Sequence, residues 1–240
     1  MWLEFPGGIE ANISVAWASQ KEQRQLNFIG ELGTIFVDFN NENYLWYYGN
    51  NEFLHQEHEA FKTLLVKKTP KVIIDIGAHW GIFPSQLASD KSSIVSSVER
   101  VVCIEPDPGN LPNLKKTAAK IKRFKLDIVP FAVSGEEGSI SIFKGGGACA
   151  HTYQSDGSIF VSQVMAAPLQ NILNNLSIKG EDVTHIKLDI DGYEPAFFYG
   201  ATDFLVKHKP LLLIEFWAKG IKAAGFDLVQ YWEYLFSMYD

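Results

Sequence analysis

The acid and two glycines between Asp75 and Gly81 are the first residues of this chain whose types and spacing point to chemistry. The run "VIIDIGAHWGIFPSQLA", from Val72 to Ala88, sets branched apolar residues around Asp75, then Gly77 and Gly81, then helical spacing. In an open parallel sheet the first strand-to-helix turn collects backbone N–H groups and a helix N-terminus, where ligands sit. The order Gly77-Ala78-His79-Trp80-Gly81 lacks the middle glycine of G-x-G-x-x-G, the residue that lets backbone approach a pyrophosphate. A carboxylate just before the turn repels phosphate and suits an ammonium or sulfonium charge. S-adenosylmethionine carries both charges and no phosphate, so it is the expected cofactor; the plainer reading is a tight glycine turn with no ligand.

Two further clusters follow. "VVCIEPDPGN" puts Glu105 at the end of a strand-like run, 24 residues after Gly81. An acid about 20 residues beyond a glycine turn can accept both ribose hydroxyl hydrogens through its two oxygens; otherwise it is a carboxylate near a helix dipole. "HIKLDIDGYEPAFFYGA" gathers Lys187, Asp189, Asp191 and Glu194. Strand alternation turns Lys187, Asp189 and Asp191 to one face, a costly arrangement in a covered sheet unless it opens onto a site; the alternative is a solvated edge strand. Two carboxylates are too few for a metal site, and none is assigned. His79 follows the glycine turn and can face an acceptor. His151 reads as a loop residue, and Glu215 ends the fifth strand-like run. No G-x-S-x-G setting supports a hydrolase triad.

The elements that must hold these residues are legible in outline. From Val72 onward, "KVIIDIG", "RVVCIEPD", "KLDIVPFAVS", "HIKLDIDG" and "PLLLIEFW" alternate with helix-compatible segments, which predicts an α/β fold with a mostly parallel sheet flanked by helices. A helix over residues 56–67 leads into it. "SISIF" and "IFVSQVMAA" read as strands around a glycine-rich loop, near one sheet edge. The first 50 residues read as a small antiparallel β segment, with strands at Ala11–Trp17, Gln25–Ile29 and Thr34–Phe39.

Composition narrows the function classes. A net charge of −7 gives no footprint for nucleic acid, and the Lys115 to Lys125 cluster reads as a solvated helix face. Cys103 and Cys149 have no metal-ligand spacing, so a reduced, cytoplasmic chain is the default. No signal-peptide pattern or apolar run of about 18 residues is present, so no membrane partner is expected.

Together these residues resemble the FkbM family of S-adenosylmethionine-dependent methyltransferases over roughly residues 72–217. "DIGAHWG" is similar to the family's first strand and glycine turn, "CIEPDP" to its second acid, and "IVPFAVSGEEGSISIF" to its third strand and hairpin. "IKLDIDGYEPAFFYGA" with "KPLLLIEFW" is similar to its K-x-D-x-E-G-x-E and P-x-x-x-x-E blocks. His79 stands where the family usually has Asn, Asp191 where Glu is common, and Gln170 where Asp is usual. The resemblance implies a Rossmann-like class I methyltransferase fold over residues 56–240, with a closing pair of antiparallel strands. The chain ends soon after the fifth strand-like run, so an exposed sheet edge is expected there. Residues 1–48 are similar to late strands of Gfo/Idh/MocA-type oxidoreductases, without that family's nucleotide-binding half.

The implied activity is O-methylation of a hydroxyl on a sugar, glycan or small metabolite. Asp75, Gly77, Ala78 and Gly81 would shape the methionine end of the cofactor site, Glu105 would hold the ribose, and Val133 and Ser134 would border the adenine. An alcohol acceptor needs a base, and Asp189, Asp191 and His79 are the candidates. Two other readings stand beside this one: a non-catalytic methyltransferase-fold chain, and an NAD-dependent oxidoreductase, against which the missing G-x-G-x-x-G counts.

Overall fold

The computed structural model describes residues 61–237 apart from 63, 145–149, 153, 155–156 and 216–217, and the backbone alone of four strands before them. Those four are β1 (Trp2–Phe5), β2 (Ile9–Ala16), β3 (Gln23–Gly30) and β4 (Gly33–Asp38). They form an antiparallel meander. The expected strands fall within β2, β3 and β4, apart from Trp17 and Phe39, which lie outside the described residues, as do residues 56–60 of the expected first helix. Residues 61–62 and 64–67 are helical.

The elements then run β5 (Val72–Ile76), α1 (Ile82–Ser89), β6 (Arg100–Ile104), α2 (Leu111–Lys120), β7 (Lys125–Val129), β8 (Ala132–Val133), β9 (Gly138–Lys144), β10 (Ala150–His151) and β11 (Ile159–Ala167). After these come α3 (Leu169–Asn175), β12 (Val183–Leu188), α4 (Glu194–His208), β13 (Leu211–Glu215), α5 (Ala218–Ala223) and α6 (Leu228–Ser237). The central sheet has the order β1-β2-β3-β4-β13-β12-β5-β6-β7, and β13, β12, β5, β6 and β7 are mutually parallel. The chain leaves β5 toward β6 and β7, then returns to β12 on the other side. The order therefore reverses between β5 and β12, and in open α/β sheets the ligand crevice lies at such a reversal, outside the carboxyl ends of the strands.

Alternation along the strands divides the core into two layers, as a sheet covered on both faces requires. Ile74, Ile76, Val102, Ile104, Ile186 and Leu188 pack with Phe197 and Phe198 of α4 and Tyr231 of α6. Ile73, Val101, Cys103 and Leu213 pack on the opposite face with Phe61 and Leu64, Phe83 and Leu87 of α1, and Leu114 of α2.

Two expectations are corrected, the exposed sheet edge and the single lysine-rich helix face. The flank of β13 is not an open edge: Glu215 pairs with Phe36, and β4 runs parallel to β13. The hairpin strands β9 and β11 build a second sheet of order β10-β9-β11-β8, with β8 parallel to β11. β12 is central, between β5 and β13, which excludes the alternative of a solvated edge strand. Among the lysine-rich residues, α2 stops at Lys120, so Lys122 and Lys125 lie beyond the helix.

Candidate functional site

The turn after β5 is built around Gly77. Its φ is +84°, and a Cβ there would lie 1.7 Å from the carbonyl oxygen of Asp189, so only glycine lets the turn come this close to the end of β12. The Gly77 and Ala78 amides donate to Ile104 O at 2.9 and 3.1 Å, and Asp189 N donates to Ile76 O at 3.1 Å. These bonds tie the carboxyl ends of β6, β5 and β12 together beside the crevice. Gly81, also at positive φ, is the N-cap of α1.

Glu105 follows β6 and is 5% exposed. Its Oε2 accepts the His79 amide at 2.7 Å; its Oε1 accepts the Asp107 amide at 2.9 Å and Asn110 Nδ2 at 3.3 Å. Burial pushes this carboxyl above its usual range, against the lowering effect of the Asp107 and His79 amides. Asn110 Oδ1 in turn accepts the indole N–H of Trp80 at 3.0 Å, and the Trp80 ring stacks on His79 with centroids 4.8 Å apart. Asp107, fully buried, accepts Gly109 N at 2.8 Å and pairs with Lys144 of β9 at 2.5 Å, joining the second sheet to this loop.

On the other side of the crevice, Lys187 sits between two acids. Its Nζ is 3.0 Å from Asp189 Oδ2 and 3.8 Å from Asp75 Oδ1. Burial pushes Asp189 upward, but the Lys187 charge and hydrogen bonds from Glu215 and Lys187 outweigh it and hold Asp189 below the usual carboxylate range. Burial and the Asp189 charge push Glu215 well above that range, which favours the proton of this pair on Glu215, hydrogen-bonded to the Asp189 carboxylate. His79 is held below its usual value, first by burial, and its buried Nε2 has no hydrogen-bond partner among the described residues.

Asp191 does not lie on a strand face with Lys187 and Asp189. β12 stops at Leu188, and Asp191 occupies a left-handed turn at φ 53°. That turn is closed by Glu194 Oε1, which accepts the amides of Ile190 at 3.1 Å and Gly192 at 3.3 Å. Burial pushes the Glu194 carboxyl up to about 7. Gly192, at φ +100°, lets α5 come close: a Cβ there would sit 2.3 Å from the Gly220 carbonyl carbon.

The structure thus joins Asp75, Gly77, Ala78, His79, Gly81 and Glu105 to Asp189 around one crevice. It does not bring Val133 and Ser134 into that hydrogen-bonded unit. Both are buried at the end of β8; Ser134 N donates to Ala167 O, and its hydroxyl donates to Glu136 O. His151 pairs with Phe143 through backbone, and its side chain lies outside the described residues. Sequence reasoning missed Trp80, Asp107, Asn110 and Lys144. The Asp-Pro-Gly spacing signals an Asx turn at Asp107, but nothing local signals the cross-loop bonds of the others. Among the described residues no group of three or more His, Cys, Asp or Glu could hold a metal ion, and no helix is long and apolar enough to cross a membrane.

Comparison with known proteins bears on this arrangement. No curated protein matches the chain. Among solved structures it is similar to the crystallised methyltransferase FkbM from Methylobacillus flagellatus KT, at 22% identity and a TM-score of 0.44, over 68% of this chain and 39% of that one. The chain thus spans about two fifths of that solved chain. The family model of the methyltransferase FkbM domain matches residues 75–237. The match starts on the buried acid of β5 and runs through the glycine turn, Glu105, the Lys187 cluster and the last helix. By that match the chain belongs to the FkbM methyltransferase domain family.

Proposed function

We propose that this chain is an S-adenosylmethionine-dependent O-methyltransferase acting on a hydroxyl of a sugar or other small metabolite. Residues 56–240 are its methyltransferase domain and residues 1–50 a β segment preceding it. The observation that carries this reading is the buried Glu105 carboxylate, bonded to the His79 amide across the glycine turn at the point where strand order reverses. The residues present fit the cofactor. Glu105 Oε2 keeps an acceptor position for a ribose hydroxyl, and the acids Asp75 and Asp189 near the turn suit a cationic ligand and disfavour pyrophosphate.

When bound, S-adenosylmethionine supplies an electrophilic methyl group on a sulfonium centre. The chain's own residues hold the acceptor and manage its proton. A hydroxyl is a weak nucleophile until its proton is taken, and His79 is the base we assign. Burial keeps its ring neutral near pH 7, and Nε2 is buried without a hydrogen-bond partner among the described residues. Nε2 takes the hydroxyl proton. Asp189, held low by Lys187 and by the bond from Glu215, is the weaker base and keeps its charge. Asp191, in the turn after β12, borders the acceptor side. Holding two reactants in line supplies much of the remaining rate.

The test is incubation of the purified chain with methyl-tritiated S-adenosylmethionine and a panel of monosaccharides and polyols. Label appears on a hydroxyl acceptor, and His79→Gln loses transfer while keeping cofactor binding. Binding of NAD with no binding of S-adenosylmethionine would overturn the reading.

A further inference from the structure

The second sheet meets the body of the protein at both of its ends. The antiparallel register of β9 on β11 puts Gly138 opposite Ala166 at one end and Lys144 opposite Ile159 at the other. At about 3.4 Å per residue these ends lie about 20 Å apart. The first end is fixed by backbone. There β8 runs parallel to β11, and Ser134 N donates to Ala167 O at 3.1 Å. Gly135 packs on Gly200 of α4, where a Cβ on Gly200 would come 2.4 Å from the Gly135 Cα. Between its ends the sheet has a small core of its own, Ala132, Ile142, Val164 and Ala166, apart from the two layers of the main sheet.

The far end is held by charge. Lys144 closes β9, and its Nζ is 2.5 Å from Asp107 Oδ2. Asp107 is fully buried, and apart from this lysine its Oδ2 has no polar partner among the described residues. Every other polar group of Asp107 is committed to the loop after β6. Its Oδ1 accepts Gly109 N at 2.8 Å, and its carbonyl accepts Asn110 N and Leu111 N at 3.0 and 3.3 Å where α2 begins. Its amide donates to Glu105, the residue that also accepts the His79 amide of the β5 turn. Asp107 thus joins the second sheet to both turns beside the crevice.

We propose that the Lys144–Asp107 pair couples these two parts of the molecule, so that a nucleoside ligand ordering the turns after β5 and β6 also steadies the Lys144 end of the second sheet. The inference rests on the nucleoside-binding reading given above and adds to it a partner segment outside the turns. Lys144 acts through Asp107 and is a positioning residue; no contact with ligand is required of it. A buried carboxylate is costly to keep without its cation, so the pair persists and whatever fixes Asp107 fixes Lys144. Shared ordering of this kind couples two regions without a change of shape, and the coupling is reciprocal.

The experiment is hydrogen–deuterium exchange read by mass spectrometry, with and without saturating S-adenosylhomocysteine, on the wild type, Lys144→Met and Asp107→Asn. Exchange reports local opening segment by segment. In the wild type the ligand slows exchange in residues 77–81 and 105–110 and also, by about five-fold or more, in β9 and β11 around Lys144 and Ile159. Lys144→Met keeps the first effect and loses the second. Asp107→Asn retains an acceptor for Gly109 N but not the charge, so it loses the second effect too and decides the matter if Lys144→Met does not fold. A wild type whose turns are protected while β9 and β11 are unchanged overturns the coupling. Protection of β9 and β11 that is the same in the wild type and in the folded variants overturns the role of the pair. A folded wild type that the ligand protects nowhere removes the nucleoside reading, and this inference with it.

Discussion

Asp75 and Lys187 are register partners across β5 and β12, with Lys187 Nζ 3.8 Å from Asp75 Oδ1 and both side chains no more than 5% exposed. A buried cation and a buried acid thus lie at the centre of the sheet, where the crevice begins, and the same ammonium reaches Asp189 at 3.0 Å. Removing one partner of a buried pair leaves uncompensated charge, a loss of about 3–5 kcal/mol. Lys187→Met is therefore expected to lower the unfolding free energy read from urea denaturation by an amount of that order. Glu215→Gln is expected to shift it little, because burial and the Asp189 charge favour the neutral form of Glu215, which hydrogen-bonds to Asp189 as the Gln amide can. Equal losses in the two variants would contradict this division of roles.

Gly77→Ala tests the turn. A methyl group placed 1.7 Å from Asp189 O at a φ of +84° forces the turn away from the end of β12. Left-handed strain alone costs about 1–3 kcal/mol, and the clash adds to it. Thermal denaturation should show a lower midpoint, with weaker binding of S-adenosylhomocysteine in the fraction that folds. A midpoint equal to that of the wild type would mean the close approach does not constrain the turn.

Two buried groups should make opposite contributions to the pH dependence of stability. His185, bonded to Thr184 and Leu64 O, is pushed down to about 4 by burial. Between about 4 and its ordinary value of 6.5, the unfolded chain binds a proton that the folded chain does not, so stability rises with pH and is fully present above that window. Glu194 is pushed up to about 7 by burial. Between 4.5 and about 7 the folded chain holds the extra proton, so its contribution is present at low pH and lost as pH rises. Each amounts to about 3 kcal/mol. The stability of the wild type minus that of His185→Gln should therefore climb from pH 4 to 6.5. The wild type minus Glu194→Gln should fall from pH 4.5 to 7. Chemical denaturation across this range reads both slopes, and a shared sign would refute the assignment.

Where the sequence was legible, a short-range pattern caused the structure. The five parallel strands could be read because apolar runs ending in Asp75, Glu105 and Glu215 alternate with helical spacing, and the doubly covered sheet follows from that alternation. Asp191 was misplaced because alternation was carried past Leu188, where Gly192 and the Glu194 cap turn the chain out of the strand. The pairing of β4 with β13 and the separate sheet of β9 and β11 depend on register between segments far apart in the chain, which no local periodicity encodes. The Trp80–Asn110–Glu105 bonds were hidden for the same reason: each residue type had a sufficient local role, as turn residue, helix cap or strand-end acid. Only the packing of α2 against the turn brings them together.

The most direct measurement is calorimetric titration of the wild type and Glu105→Ala with S-adenosylhomocysteine. Glu105 is both the proposed ribose contact and the acceptor that holds the His79 amide and the Asn110 side chain, so its removal should weaken binding by about ten-fold or more while the chain stays folded by circular dichroism. Micromolar binding by the wild type, about −8 kcal/mol, that collapses in the variant is the predicted result. Folded wild-type chain that shows no binding, or equal binding by both, would contradict the nucleoside site on which the methyltransferase reading stands.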